Sequence, residues 1–168
     1  MKKTNETLKS IKERRSIRKY ADKAIDKNIL KEIVDAARLA PSGMNVQPWE
    51  FVVVTEKEIL KKLAEAKSYG YFIQDSAACI VVFCKDTKYF LEDGCNASMS
   101  ILLAAKSFGI GSCWVAGHGK DYEEDVKRLF GVPEDYHLIS ILPLGYPDEK
   151  PEPHDKRKLQ DVMHWEKF

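Results

Sequence analysis

Ala40-Pro41-Ser42-Gly43-Met44-Asn45-Val46-Gln47-Pro48-Trp49 is where the chain changes its hydrophobic period. Upstream, Ile29, Leu30, Ile33, Val34, Ala37 and Ala40 recur at helical spacing, so residues 26–40 read as an amphipathic helix that Pro41-Ser42-Gly43 stops. Downstream, residues 49–54 are short, aromatic and β-branched, which reads as a strand. The residues between them are small or amide-bearing. A loop of this kind brings backbone N–H groups close to a ligand, and Asn45 and Gln47 each carry a donor and an acceptor for the mixed edge of a heterocycle. The same composition also serves as ordinary turn chemistry.

Working outward, Thr55-Glu56-Lys57-Glu58 has the spacing of a capping box that opens a helix after the strand. Residues 77–84 form a second strand, because Ile80, Val81, Val82 and Phe83 are apolar without alternation, the pattern of a sheet covered on both faces. Helices must then flank the sheet. The longest helix is expected over 89–108, apolar around much of its circumference and therefore central and buried, with Gly109 as its C-terminal cap. A strand over 112–115, a helix over 122–130 ended by Gly131 with Pro133 beyond, and a last buried strand over 137–144 complete the pattern. A Pro-rich stretch at 143–153 reads as an exit from the domain. The tail over 156–168 is charged but carries Leu159, Val162, Met163 and Trp165, which a solvated tail would not leave uncovered.

Whole-chain properties narrow the function. A length of 168 residues with 44% hydrophobic residues suits one α/β domain over 1–168. Lys+Arg total 27 against Asp+Glu 26, so no global field draws the chain to nucleic acid or to an acidic membrane, and any anion site is local. The four cysteines, Cys79, Cys84, Cys95 and Cys113, include no C-x-x-C pair, which argues against a zinc or iron–sulfur site; buried reduced thiols are the expectation. His118, His137, His154 and His164 have no metal-ligand spacing, and no metal is expected. Residues 1–11 contain Lys2 and Lys3 without a following apolar segment, and no apolar run approaches the ~20 residues of a membrane span. A soluble, cytoplasmic protein without membrane attachment is expected.

Arg14-Arg15-Ser16-Ile17-Arg18-Lys19-Tyr20 follows the first helix. Its guanidinium groups and hydroxyl match the oxygens of a phosphomonoester, although cations also simply favour a helix C-terminus. The order of motifs is more specific than either segment alone. An Arg-x-Ser-x-Arg segment, the Ala-Pro-Ser-x-x-Asn-x-Gln-Pro-Trp loop, Asp93 with the Ala-rich helix, Gly109-Ile110-Gly111-Ser112-Cys113-Trp114, and Leu142-Pro143-Leu144-Gly145-Tyr146-Pro147 with a basic tail follow one another. In this the chain resembles the nitroreductase family from Ile11 to Trp165.

The resemblance implies an α+β fold: three α/β/α layers, with a central mixed, mainly antiparallel sheet around a long buried helix, in an intertwined homodimer with FMN at the interface. It implies a tail over 156–168 that packs on the partner subunit. Arg14, Arg15 and Ser16 correspond to the phosphate-binding segment. Arg18 corresponds to a basic side chain near the flavin pyrimidine, where positive charge would stabilise the anion developing on reduction. Pro41, Ser42, Gly43, Asn45 and Gln47 correspond to the loop reaching the same FMN from the other subunit. Val115, Ala116 and Gly117 correspond to backbone facing the isoalloxazine, so Arg18, Ala116 and Gly117 are the residues expected at the reacting centre. Lys156 and Arg157 correspond loosely to basic residues closing over the phosphate. The implied reaction passes hydride from NADH or NADPH to flavin N5 and then to a small electron-poor acceptor, a nitroaromatic or quinone, with ping-pong kinetics.

Some departures bear on mechanism. Ala116 stands where some members have an acidic side chain, and the chain is short where longer members carry an insertion over the site. No Cys-rich ferredoxin-like segment is present, so a diffusible nicotinamide is the expected donor. Histidine as a residue type, with a reference pKa of about 6.5, suits proton donation to a reduced acceptor, which makes His118 a candidate, but a partly exposed loop histidine is the plainer reading. Trp114 and Tyr71 read as packing groups. Reductive dehalogenation, flavin breakdown, or FMN binding without catalysis stand as alternative uses of one scaffold.

Overall fold

β-Branched and aromatic residues flanked by amphipathic helices produce a five-stranded antiparallel sheet in the computed structural model, which describes residues 5–66, 70–151 and 153–168. The helices are α1 (Glu6–Glu13), α2 (Lys27–Arg38), α3 (Lys57–Glu65), α4 (Phe90–Ser107) and α5 (Glu123–Phe130). The strands are β1 (Trp49–Val54), β2 (Ala78–Lys85), β3 (Gly111–Ser112), β4 (Val115–Ala116) and β5 (Tyr136–Gly145). The order is β1-β2-β5-β3, with β4 also paired to β5. β5 is thus the seam along which three other strands meet.

Both faces of the sheet are covered, as the unbroken apolar run of β2 requires. Ala78, Ile80, Val82 and Cys84 join α2 and α4 residues such as Leu30, Ile33, Ala97 and Ile101 on one side. Cys79, Val81 and Phe83 join Leu60 and Leu63 of α3 and Val126 of α5 on the other. Three α/β/α layers result. α4 buries Asp93, Gly94, Ala97, Ser98, Ile101, Leu102 and Ala105 as one stripe, and Ser98 Oγ makes a 2.7 Å hydrogen bond with Ser140 Oγ of β5. Its outer face leaves Leu91 and Met99 exposed within one chain, as does Phe108 at its C-cap, so the central helix buries one stripe and presents the other side outward.

Local expectations differ from the fold in three places. The α3 N-cap is Glu56 and makes no side-chain cap hydrogen bond, so the Thr55–Glu58 capping box is not formed. The strand expected over 112–115 is two short pairings, Ser112 with Leu144 and Val115 with Ile141, separated by Cys113 and Trp114. Tyr71 is 67% exposed and packs nothing away, whereas Trp114 packs against the α2/α4 side of the core. Cys79, Cys84 and Cys113 are buried free thiols and Cys95 is half-buried. No helix among the described residues is long and apolar enough to cross a membrane.

Candidate functional site

The basic segment leaves α1 as extended chain. Ser16 forms a parallel bridge to Ser112 at the edge of β3, and Ile17 N–H donates to Ser112 C=O at 2.9 Å, which ties the segment to the sheet. Ile17 and Tyr20 point inward, and the residues between and before them project outward. Arg14, Arg15, Ser16, Arg18, His154 and Lys156 line a cleft of about 390 Å³ whose lining, among the described residues, contains no carboxylate. Its walls are therefore suited to an anion.

The cations there are not equivalent. Arg15 Nη1 donates to the Lys12 and Arg14 carbonyl oxygens, both at 2.8 Å, and so completes the end of α1. Among the described residues neither Arg14 nor Arg18 forms an ion pair, and the Arg18 guanidinium lies 5.9 Å from the centre of the Phe72 ring. Glu149 instead accepts from the Arg18 and Lys19 backbone N–H groups, which turns the segment without neutralising its side chains. Lys156 reaches the cleft, whereas the Arg157 guanidinium donates to the Asp161 carbonyl. Burial raises the thiol pKa of Cys113 behind the cleft, opposed by the Arg18 charge, a Ser16 hydrogen bond and the Arg14 charge. The field of the two arginines thus reaches into the protein.

The 41–47 loop is built differently. Met44, Asn45 and Gln47 all have positive φ, at 52°, 57° and 54°, a conformation that costs a non-glycine residue on the order of 1–3 kcal/mol. Two contacts from α4 hold it. The buried Asp93 Oδ1 accepts from Gly43 N–H at 2.9 Å, and Asn96 Nδ2 donates to Pro41 C=O at 3.3 Å. Ser42 Oγ accepts from Gln47 N–H at 3.0 Å and Gln47 Nε2 donates to Asn45 C=O at 3.1 Å, so both side chains serve the loop's own shape. Asp93, which the sequence marks only as part of the family's order of motifs, is thus a positioning residue for the loop; an acid in an otherwise largely apolar helical stripe is the local signal of that role.

Within one chain these two groups lie far apart. The loop is anchored at Asp93, in the first turn of α4, while the Arg cluster is tied near its other end by the Lys106–Glu13 ion pair. Thirteen residues of helix separate Asp93 from Lys106, about 20 Å at 1.5 Å per residue.

Val115, Ala116 and Gly117 lie on the β5 seam. Ala116 opposes Ser140, and Gly117 N–H donates to Ile139 C=O at 3.0 Å, beside the register shift in β5 that follows Ser140↔Val82. Gly117 is required there, since a Cβ would lie 2.4 Å from Leu138 Cγ and 2.8 Å from Leu138 O. Bulges re-aim the chain beside functional sites, and here the bulge borders the segment expected at the reacting centre.

The model of the nitroreductase family matches residues 11–78 and 67–146. A protein of Archaeoglobus fulgidus, provisionally named an NADH dehydrogenase/NAD(P)H nitroreductase, is 39% identical over 97% of this chain and 99% of its own length. This chain belongs to the nitroreductase family. Solved structures of similar proteins agree in fold. One from Bacteroides thetaiotaomicron with the same provisional name gives a TM-score of 0.93 at 33% identity, covering 98% of this chain and 99% of that one. An FMN-dependent nitroreductase of Clostridium difficile gives 0.88 at 31% identity, covering 95% and 98%.

His118 leads away from the expected flavin face. With Glu123 and His137 it forms a cluster whose ligand atoms lie within 4.8 Å of one another. The histidines that sequence spacing had set apart are therefore brought together across the β4–α5 loop and β5.

Proposed function

We propose that this nitroreductase-family protein is a homodimeric, FMN-dependent oxidoreductase that takes hydride from NADH or NADPH and reduces a small electron-poor acceptor, a nitroaromatic or a quinone. The observation that carries this reading is the basic cleft at Arg14, Ser16, Arg18 and Lys156, leading along the sheet edge toward Val115, Ala116 and Gly117.

The residues present fit FMN. Arg14 and Ser16 supply charged and neutral donors to a phosphomonoester, and Lys156 closes over it. From Ser112, where Ser16 is docked, to Ala116 is four residues along an extended edge, about 13 Å, which suits an elongated ligand with one anionic end. Arg18 favours negative charge at the pyrimidine end, and the Ala116–Gly117 backbone lies along the ring. Bound FMN supplies a two-electron carrier between nicotinamide and acceptor. The chain's share is to orient the ring, place charge beside it, and admit planar molecules to its face.

Pro41, Ser42, Gly43, Asn45 and Gln47 cannot join the Arg cluster within one chain, because α4 holds the two apart. In the proposed dimer the loop of one subunit completes the site of the other. The exposed Met44 and Val46 of the loop, Leu91 and Met99 of α4, and the tail from Leu159 to Trp165 are the apolar groups that such a partner would cover. Residues 156–168 are the extension assigned to that contact.

The absorption spectrum of the purified protein tests cofactor, donor and catalysis together. Flavin released by heat should migrate as FMN, and anaerobic NADH or NADPH should bleach the bound flavin. Recovery of FAD, or no flavin after reconstitution with FMN, overturns the reading. Bound FMN that neither nicotinamide bleaches would instead establish a binding protein.

A further inference from the structure

Glu123 opens α5 and is only 9% exposed. Its carboxylate is held by two backbone donors: Oε2 accepts from Gly119 N–H at 2.7 Å and Oε1 from Leu138 N–H at 3.0 Å. That same Oε1 lies 3.6 Å from His118 Nδ1 and 3.8 Å from His137 Nδ1. Neither approach is a hydrogen bond, and among the described residues the buried His118 Nδ1 has no hydrogen-bond partner. The far side of the second ring has a carboxylate too, with Asp86 Oδ1 at 3.5 Å from His137 Nε2. A carboxylate at Nε2 favours the proton there and leaves the Nδ1 lone pair turned toward Glu123. Phe90 fixes both rings, stacked on His137 at 4.3 Å and edge-on to His118 at 5.1 Å.

Three atoms that can each offer an electron pair thus lie within 4.8 Å of one another. We propose that His118, Glu123 and His137 bind one divalent transition-metal ion of the zinc, cobalt or nickel class. Two imidazoles and one carboxylate select such ions over magnesium or calcium, which take oxygen ligands. Bonds of about 2.0–2.1 Å in tetrahedral geometry place ligand atoms roughly 3.3 Å apart, so the two gaps from Glu123, 3.6 and 3.8 Å, close by a few tenths of an ångström and the two imidazoles, within 4.8 Å of each other, draw together by rotation of the exposed His118 ring. Asp86 is the outer carboxylate that orients a ligating histidine. His118, with a side chain 36% exposed, leaves the ion an entry path from solvent.

The ion clips the β4–α5 loop and the start of α5 to β5. It is separate from the cleft at Arg14 and Arg18 and does not depend on the flavin reading. It borders that reading at one place, since Tyr122 Oη donates to Ala116 C=O at the segment assigned to the flavin face.

The test uses untagged full-length protein stripped with a chelator and titrated with Co²⁺ and Zn²⁺, while flavin content is measured independently. One ion per chain is expected, with a visible Co²⁺ spectrum that lacks the thiolate charge-transfer band and a rise in Tm with added Zn²⁺. His118→Ala, His137→Phe and Glu123→Gln should each weaken binding about 10-fold or more. The phenylalanine keeps the stack on Phe90, and the glutamine keeps an acceptor for the backbone, so each preserves a different part of the fold. His154→Ala with His164→Ala should bind as the unmodified protein does. Failure to bind either ion at millimolar concentration would reduce the cluster to a proton-bridged His–Glu–His network and overturn the proposal. So would affinity that survives in both His118→Ala and His137→Phe, or a thiolate band.

Discussion

Arg14 and Arg18 are four residues apart in one basic segment, yet their surroundings assign them different work. Arg14 lies against the cleft wall beside Ser16, where a phosphate would be desolvated. Arg18 is solvent-facing over Phe72. Arg14→Ala should therefore lose a charge-assisted contact worth on the order of 1.5–3 kcal/mol, about 10- to 150-fold in FMN affinity. Arg18→Ala should retain more of the affinity and lower the rate of flavin reduction or the flavin potential. Fluorescence titration with FMN and stopped-flow reduction by NADH separate the two; variants that both match the parent protein would show that this segment does not bind the cofactor. A second residue-scale effect concerns pH. Burial pushes the Cys84 thiol up to about 12, and the Asp93, Cys95 and Glu50 charges add to it. An unfolded thiol titrates near 8.5, so the folded state holds its proton more tightly. The stability this contributes is fully present below about pH 8.5 and is lost as pH rises toward 12, by up to ~1.4 kcal/mol per pH unit. Cys84→Ala should flatten part of that slope in urea melts between pH 7 and 11, the remainder coming from the other groups that burial raises, Cys79, Cys95, Cys113 and Tyr20. An unchanged slope in Cys84→Ala would contradict the argument.

At the scale of elements, α4 is held to the sheet by close approach, and Gly94 makes that possible. A Cβ there would lie 2.6 Å from Ile139 Cγ1 and 2.8 Å from Cys84 Sγ. Gly94→Ala should cost about 1–3 kcal/mol by overpacking and should disturb the β5 bulge beside Gly117. Gly109 is a contrast: its φ is +71° with open space around it, so Gly109→Ala should cost about 1–2 kcal/mol through the backbone alone and leave the Gly117 segment in place. Chemical denaturation gives both costs, and FMN affinity distinguishes the two mechanisms. The same comparison explains what the sequence made legible. β1, β2 and β5 were readable because apolar residues on both faces leave no alternative environment for them, and α2, α4 and α5 because their stripes and stops are local. β3 and β4 were read as one strand, since nothing local marks the break at Cys113 and Trp114. Thr55 matches a capping pattern but does not cap, because the N-cap position falls one residue later, at Glu56. Asp93 and the His118–Glu123–His137 cluster took on their roles only through contacts made across the fold, which spacing along the chain does not encode.

For the whole molecule the decisive length is that of α4, 18 residues, about 27 Å. Asp93 holds the 41–47 loop near one end and Lys106 holds the Arg cluster near the other, so in the proposed function a single flavin draws these two groups from different chains. An active homodimer is therefore expected, with two equivalent sites and no FMN retained by a separated monomer. Leu159, Val162, Met163 and Trp165 are between 43% and 76% exposed in one chain, and covering them on a partner would contribute roughly 1.5–3 kcal/mol for each side chain fully buried. Truncation before Leu159 should weaken dimerisation and FMN binding together, as read by sedimentation with flavin absorbance. A mixing experiment examines the sharing directly. Arg14→Ala/Ser16→Ala protein lacks one half of each site, and Ser42→Ala/Asn45→Ala protein lacks the other. Neither homodimer should hold FMN tightly. After reversible dissociation and mixing, each heterodimer should regain one intact site, because the undamaged loop of the first chain meets the undamaged cluster of the second. Recovery should approach one FMN per heterodimer at parental affinity. Verified heterodimers with no high-affinity site, or a monomer that sediments with FMN bound, would place all the ligands on one chain and end the shared-site model.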